Sequence, residues 1–151
     1  LSAFAQKEDK SYRIKISDNR NHQHTSYDYL FKNDSLKITG LSDYGDTKVD
    51  YFSKRLSKKE KKKIAKFILS FPADSLQETY FDDFFSFGAI TAEHFPRVIE
   101  LEYRKGLKQY KSKATNCYVE NFNKLFTFLN QFIPLNEVKI GFVKTDFKKH
   151  F

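Results

Sequence analysis

The histidines are the side chains with the most evident capacity for chemistry. His22 and His24 are two residues apart, so a strand would direct both imidazoles to one side, where they could share a metal ion. A zinc site needs at least a third protein ligand, and Glu93-His94 could supply one only through the fold. Paired histidines in a polar loop are usually solvated, so the sequence predicts no metal site and no cofactor.

Carboxylates and nucleophiles form no stronger pattern. Acid–base catalysis by two carboxylates needs them roughly 5–10 Å apart across a cleft, and adjacent residues such as Asp82 and Asp83 generally diverge. The chain has no nucleophile elbow, glycine-rich phosphate loop or His-Glu-x-x-His sequence. Cys117 is the only cysteine and has no lysine or histidine within two residues, which favours a buried thiol over a reactive one. No catalytic residue is assigned.

The clearest charge feature is a lysine-rich segment, in a chain with a net charge of +8. It begins at Ser57-Lys58-Lys59-Glu60, a capping box that predicts the start of a helix. Such a lysine face is usually just solvated, and the alternative is a ridge that binds a polyanion, either nucleic acid or an acidic glycan. The absence of interleaved aromatic residues argues against nucleic acid. The lysines opposite the apolar side, called the helix lysines below, are Lys59, Lys62, Lys63 and Lys66.

An aromatic segment is the second candidate surface. No regular element is predicted there, and some of its rings are expected to cover the sheet as core. If several rings stay exposed beside the two acids, they form an apolar patch with an acidic rim, which is typical of a partner-binding surface. The residues concerned are Phe81, Asp82, Asp83, Phe84, Phe85 and Phe87.

Seven segments are predicted to be strands, and the clearest of them show the alternation of apolar and polar residues expected for half-buried strands. Hairpin turns are predicted at Asn33-Asp34 and Lys105-Gly106, and a polar loop is predicted from Asp18 to Ser26. The predicted strands are 12–16, 27–31, 36–38, 49–56, 99–103, 107–113 and 138–142.

Two further segments have the period of amphipathic helices. Pro72 is expected to end the first, and the second is expected to be capped by Asn116 and stopped by Pro134. We therefore predict an α+β fold: an antiparallel sheet of about six or seven strands with two helices packed on one face, and a ββα pseudo-repeat. The apolar positions are Ile64, Phe67, Ile68 and Phe71 in the first helix, and Val119, Phe122, Leu125, Phe126, Leu129, Phe132 and Ile133 in the second.

The first residues predict export. Ala3-Phe4-Ala5 has the small-x-small form that signal peptidase cuts, so the mature chain is expected to start near Gln6. Residues 1–5 would then be the tail of a signal peptide, residues 6–143 one domain and residues 144–151 a flexible tail. No apolar run has the length of a transmembrane segment. The expected location is periplasmic or extracellular.

Four patterns share their spacing with a known group of proteins. They are Tyr12-x-Ile14, Tyr27-Asp28-Tyr29-Leu30-Phe31, Leu56-Ser57 with Glu60, and Pro96-x-Val98-x-Glu100-x-Glu102-x-x-x-Gly106. Through them, the chain from Tyr12 to about Ile140 resembles a family of small exported bacterial α+β domains of unknown function. It departs from that family in lacking the cysteines and glycines of the first loop. The resemblance implies export and an α+β fold, and it implies no activity.

The leading functional hypothesis is an exported, non-enzymatic interaction or ligand-binding module. Its partner would be an unknown protein or small ligand of the cell envelope. Polyanion binding through the helix lysines is the alternative. A hydrolase would need, as a minimum, a pocket that joins His94 or His22 to an acidic side chain.

Overall fold

A seven-stranded sheet and two α-helices make up the part of the chain that the computed structural model describes, which is residues 10–20, 25–42, 47–81 and 97–142. The α+β prediction is therefore confirmed. The elements in chain order are β1 (Tyr12–Arg20), β2 (Thr25–Lys32), β3 (Ser35–Ser42), β4 (Thr47–Arg55), α1 (Lys58–Ser70), β5 (Thr79–Phe81), β6 (Arg97–Lys105), β7 (Lys108–Thr115) and α2 (Glu120–Asn130).

The strand order across the sheet is β4-β3-β2-β1-β6-β7-β5. The pairs are antiparallel except for β5, which runs parallel to β7. The sequence did not predict β5, because three residues are too few to show alternation. The second half of the described chain follows the order ββα, whereas four strands precede α1.

Both helices pack on one face of the sheet, called the covered face below. Ring contacts show this directly: Phe71, after α1, lies 5.3 Å from Tyr103 of β6, and Phe122 of α2 lies 5.8 Å from Tyr80 of β5, measured between ring centroids. The strand residues that alternate onto this face are almost completely buried. They include Ile14, Ile16, Tyr29, Phe31, Leu36, Ile38, Ile99, Leu101 and Tyr103.

Helix α1 begins as the sequence predicts. Ser57 is its N-cap, and the capping box with Glu60 is present in both directions. Ile64 and Ile68 are buried, and the exposed side carries the lysines. The helix ends at Ser70, just before Pro72, because proline disfavours helical backbone at the residue before it.

The predicted cap of α2 is wrong. Asn116 lies upstream of the helix in left-handed backbone (φ 48°), and its side chain accepts a hydrogen bond from the backbone N–H of Arg97 at 2.8 Å. Val119 is the N-cap and has no side-chain capping bond. The helix also ends at Asn130, four residues before Pro134, and Phe132 and Ile133 are buried in the turn that follows.

The predicted final strand is also wrong. Residues Asn136–Val138 form a 3₁₀ helix, and the chain then runs on to Phe142 without joining the sheet. Asn130 binds this segment: its side chain accepts from the N–H of Ile140 at 2.7 Å and donates to its carbonyl at 2.9 Å. Val138, Ile140 and Phe142 are buried, as the alternation indicated. The backbone of Ile140, however, is hydrogen-bonded to the side chain of Asn130 and not to a neighbouring strand.

The predicted loop from Asp18 to Ser26 is shorter than expected. β1 continues to Arg20 and β2 begins at Thr25, and residues 21–24 lie outside the described residues. Asp18 is a fully buried strand residue. The sequence suggests a loop at Asp18 because the residue is charged, and its partner Arg97 is too distant in the chain to indicate that the charge is paired and buried.

Candidate binding face

The face of the sheet opposite the helices carries the candidate site, and we call it the uncovered face. No described helix or loop lies over it, and most of its side chains are charged or polar and at least partly exposed. Antiparallel pairing aligns these side chains in rows across the strands, because paired residues point to the same side. The register therefore decides which charges become neighbours.

One row on the uncovered face contains only cations and neutral polar residues. Arg13 of β1 pairs with Arg104 of β6 on one side and with Lys32 of β2 on the other. Lys32 pairs in turn with Ser35, and Ser35 pairs with Arg55 of β4. Gln109 of β7, paired with Arg104, completes the row at the opposite end. We call Arg104, Arg13, Lys32 and Arg55 the cationic row.

The cationic row has no internal compensation. All four side chains are exposed, and none of them forms an ion pair within the described part of the chain. Like charges directly opposite one another on paired strands are destabilising. Arg13 faces such a neighbour on both sides, so this arrangement is maintained against a cost in stability.

The next two rows are mixed and then partly acidic. Lys15 of β1 pairs with Glu102 on one side and with Leu30 on the other, and Leu30 pairs with Lys37. The following row contains Glu100, Asp28 and Asp50, separated by Ser17 and Thr39, and ends at Lys113 of β7, whose Nζ lies 3.9 Å from a carboxylate oxygen of Glu100. The acids of the uncovered face are thus concentrated in this third row, away from the cationic row.

A shallow groove of about 330 Å³ crosses β1, β2 and β3 on this face. Its lining includes the cations of Arg13, Lys15, Lys37 and Lys48, and Asp28 is the acid that faces them. Asp28 accepts a hydrogen bond from the Ser17 hydroxyl at 2.8 Å, which partly satisfies its charge locally. The groove therefore presents more positive than negative charge.

A bulge in β4 places Lys48 in this groove. Thr39 pairs with Asp50 and Ile38 with Phe52, so Tyr51 is an extra residue between them. The Tyr51 ring lies over Gly40, where an added Cβ would approach to 2.9 Å of that ring and 2.2 Å of the Ser26 carbonyl oxygen. Only glycine leaves room for the Tyr51 ring at this position, and beyond the bulge the even-numbered residues of β4 face the groove.

The covered face contains a different charge cluster. Arg97 of β6 binds Asp18 through two hydrogen bonds, at 3.0 Å from Nε and 2.8 Å from Nη2, and also donates to the carbonyl of Gly141. The Asp18 side chain is 0% exposed and that of Arg97 is 12% exposed. This bidentate pair ties β1, β6 and the segment after α2 together, which is a structural role.

The pKa shifts accompany structural contacts away from the uncovered face. A hydrogen bond from Lys54 at 2.6 Å, together with the backbone N–H of Ser57, lowers the pKa of Glu60. Burial, and then the charge of Asp34, raises the pKa of Tyr12 to about 12. Burial also raises the pKa of Tyr103. None of these groups combines with a nucleophile or a metal-binding set in the described residues.

The helix lysines lie on the other side of the molecule from the cationic row. Lys59, Lys62, Lys63 and Lys66 are exposed on α1, which covers the opposite face of the sheet. They form no ion pair within the described part of the chain. The structure therefore does not combine the two positive surfaces into one site.

The predicted aromatic surface is described at one residue. Phe81 lies on the edge strand β5, is 50% exposed and pairs with Thr115, which places its ring on the uncovered face. Asp82, Asp83, Phe84, Phe85 and Phe87 lie outside the described residues, as do His22, His24, Glu93 and His94. Cys117 is half-buried.

Sequence reasoning missed the cationic row. Its four residues are far apart in the sequence, one in each of four strands, whereas the helix lysines form one cluster in the sequence. The sequence did contain one signal, the residue type: the chain has only five arginines, and Arg13, Arg55 and Arg104 each lie in or directly beside a predicted strand. Which polar positions become neighbours depends on the strand order, which alternation does not reveal.

Comparison of the chain with protein-family models, with curated proteins and with solved structures finds no match. Among the helices that the structure describes, none combines the length and the apolar character needed to cross a membrane.

Proposed function

We propose that this chain is a binding module and that the uncovered face of its sheet is the surface that holds the ligand. The observation that carries the proposal is the asymmetry of the sheet. One face is buried under both helices, whereas the other presents uncompensated cations around a groove of about 330 Å³. Adjacent like charges on paired strands lower the stability of the fold, so the stability of the protein does not explain why they are there.

The chemistry of this face favours binding over catalysis. Its polar groups are lysines, arginines and carboxylates spread across flat strands, and the groove that they line is open to water. Charge-assisted hydrogen bonds from such groups hold anionic ligands well. Proton transfer or nucleophilic attack needs groups that converge on one atom, and rows of parallel side chains do not converge.

The proposal retains the sequence-based interpretation of an exported module that acts on a partner in the cell envelope. Export is supported by the pattern Ala3-Phe4-Ala5 and by the family resemblance. An anionic partner agrees with the net charge of +8.

A lysine footprint tests which surface binds. The protein is acetylated with and without a soluble envelope extract, and the labelling of each lysine is read by mass spectrometry. We expect protection of Lys15, Lys32 and Lys37, with the helix lysines labelled equally in both samples. Protection confined to α1, or no protection at any lysine, would contradict the proposal.

Polyanion binding through the helix lysines is the second candidate function. The observation in its favour is that Lys59, Lys62, Lys63 and Lys66 are all exposed on one helix. Against it stands their convex, single-helix arrangement, which provides no groove and is typical of a solvated surface.

A further inference from the structure

We infer that the cationic row binds one chain of an acidic polysaccharide, laid across the strands from β6 to β4. This inference rests on the proposed function, in which the uncovered face is the binding surface, and it adds the class of ligand and its direction. Four features carry it: the spacing of the row, its arginine content, its narrow width and the side chains that flank it.

The spacing of the row suits a linear polymer with repeated charges. Neighbouring strands lie about 4.8 Å apart, so Arg104, Arg13 and Lys32 present three positive charges at that interval. Arg55 follows after a gap at Ser35, which gives the row a length of about 19 Å. A single small anion would contact at most two of these cations, and the others would remain uncompensated.

The arginine content of the row is high for this chain. Lysine greatly outnumbers arginine in the sequence, yet three of the five arginines stand in this one row. The guanidinium group binds carboxylate or sulfate through two parallel hydrogen bonds, whereas lysine acts as a point charge. The row is therefore suited to planar or multidentate anionic groups rather than to diffuse counterions.

The width of the positive surface admits one chain. Successive rows are two residues apart along each strand, which is about 7 Å. The next row carries one acid, Glu102, which is paired with Lys15, and the more acidic row of Glu100, Asp28 and Asp50 lies about 14 Å from the cationic row. A nucleic acid duplex lying across the strands would be wider than this and would meet those carboxylates. Charge complementarity thus selects a thin polymer.

The flanking side chains favour a polysaccharide over single-stranded nucleic acid. Neither the cationic row nor the row of Lys15 and Lys37 contains an aromatic side chain, so bases would find no ring on which to stack. Gln109 at one end and Ser35 within the row are neutral groups that can both donate and accept hydrogen bonds. They match the hydroxyl groups of a sugar chain.

Heparin, a sulfated polysaccharide, is the probe for this inference. The row variant replaces Arg13, Lys32, Arg55 and Arg104 with Gln, and the control variant replaces Lys59, Lys62, Lys63 and Lys66 with Gln, so that both lose four charges. Affinity is measured by titration from 50 to 300 mM salt, with a single-stranded oligonucleotide and neutral dextran as comparison ligands. Circular dichroism and thermal unfolding report whether each variant is folded.

We expect the row variant to bind heparin about thirtyfold more weakly at low salt, with the slope of log affinity against log salt reduced by about three. The control variant should retain heparin affinity within about threefold. If the row variant does not fold, the double variant Arg13→Gln/Arg104→Gln replaces it, with a matched Lys62→Gln/Lys66→Gln control and a smaller expected loss.

Other outcomes overturn the inference in distinguishable ways. Equal losses in both variants would show bulk charge attraction without a role for the row. A loss only in the control variant would place binding on α1 and contradict the proposed function as well. Tighter binding of the oligonucleotide than of heparin, or binding of neither, would contradict the inference that the ligand is an acidic polysaccharide. The proposed function would then still be tested by the lysine footprint, which reports whether the uncovered face binds a ligand.

Discussion

Arg97 and Arg104 stand at the two ends of β6 and point to opposite faces of the sheet. Arg97, on the covered face, donates two hydrogen bonds to Asp18 and one to a backbone carbonyl. Arg104, on the uncovered face, lies opposite another arginine and forms no ion pair within the described residues. The same residue type in one strand is thus compensated on one face and left uncompensated on the other.

Solvation explains why both arrangements are tolerated. A charge removed from water must be paired and hydrogen-bonded, since the desolvation cost otherwise falls on the folded state. A charge on the uncovered face keeps its water and can face a like charge at a small cost in stability. The paired charges of the covered face are therefore explained by the requirements of folding. The adjacent like charges of the uncovered face are not.

Removal of the buried acid should produce the largest effect on stability. Asp18→Ala leaves Arg97 largely buried without its carboxylate, and we expect the free energy of unfolding to fall by about 3–5 kcal/mol, measured by urea denaturation. Asp28→Ala is the matched control, because Asp28 lies in the next strand on the uncovered face and loses one hydrogen bond, from Ser17. We expect it to cost about 1 kcal/mol or less. Equal losses in the two variants would invalidate the contrast between the faces.

Charge reversal in the cationic row should have a smaller effect of opposite sign. Arg13→Glu converts two like-charge pairs, with Arg104 and Lys32, into opposite-charge pairs. We expect unfolding in urea to become about 0.5–1 kcal/mol less favourable, while heparin affinity falls. A gain in stability with a loss of binding identifies the row as a functional feature. A loss of stability would show that Arg13 supports the fold instead.

The smallest effect at neutral pH is expected for a hydroxyl of the covered face. The Tyr12 hydroxyl is buried without a hydrogen-bond partner among the described residues, so Tyr12→Phe should change stability at pH 7 by less than about 1 kcal/mol. The raised pKa means that the folded state favours the neutral phenol. Its contribution is fully present below pH 10 and declines as the pH rises towards 12.

The comparison for Tyr12 is made as a difference between two pH profiles. Unfolding is measured from pH 8 to 12 in both proteins, because other tyrosines and the lysines titrate in the same range. The phenylalanine variant should lose less stability than the parent between pH 10 and 12. Identical profiles would show that Tyr12 ionises as easily in the folded state as in the unfolded state.

Much of the fold could be predicted because its signals are local. Alternation located the hairpin of β2 and β3, and the capping box located the start of α1 at Ser57. The errors arose where the deciding partner is distant in the sequence. Asn116 resembled a helix cap but binds Arg97, and the segment ending at Phe142 resembled a strand but is bound by Asn130.

The candidate site was less predictable than the fold for the same reason. The helix lysines are conspicuous because one helix displays neighbours in sequence as neighbours in space. The cationic row draws its residues from β1, β2, β4 and β6, so its existence depends on pairings between strands far apart in the chain. Phe81, chosen for its aromatic neighbours, is exposed on β5 and thus lies on the uncovered face.

The amino-acid sequence by itself determined most of the apolar residues that are buried, since an apolar side chain in an alternating or helical pattern leaves water wherever its element packs. It also determined the type of most elements. Only the tertiary structure decided which charges face one another. Arg13 acquires Arg104 and Lys32 as neighbours through backbone pairing across three strands, and that register is fixed by the packing of the covered face.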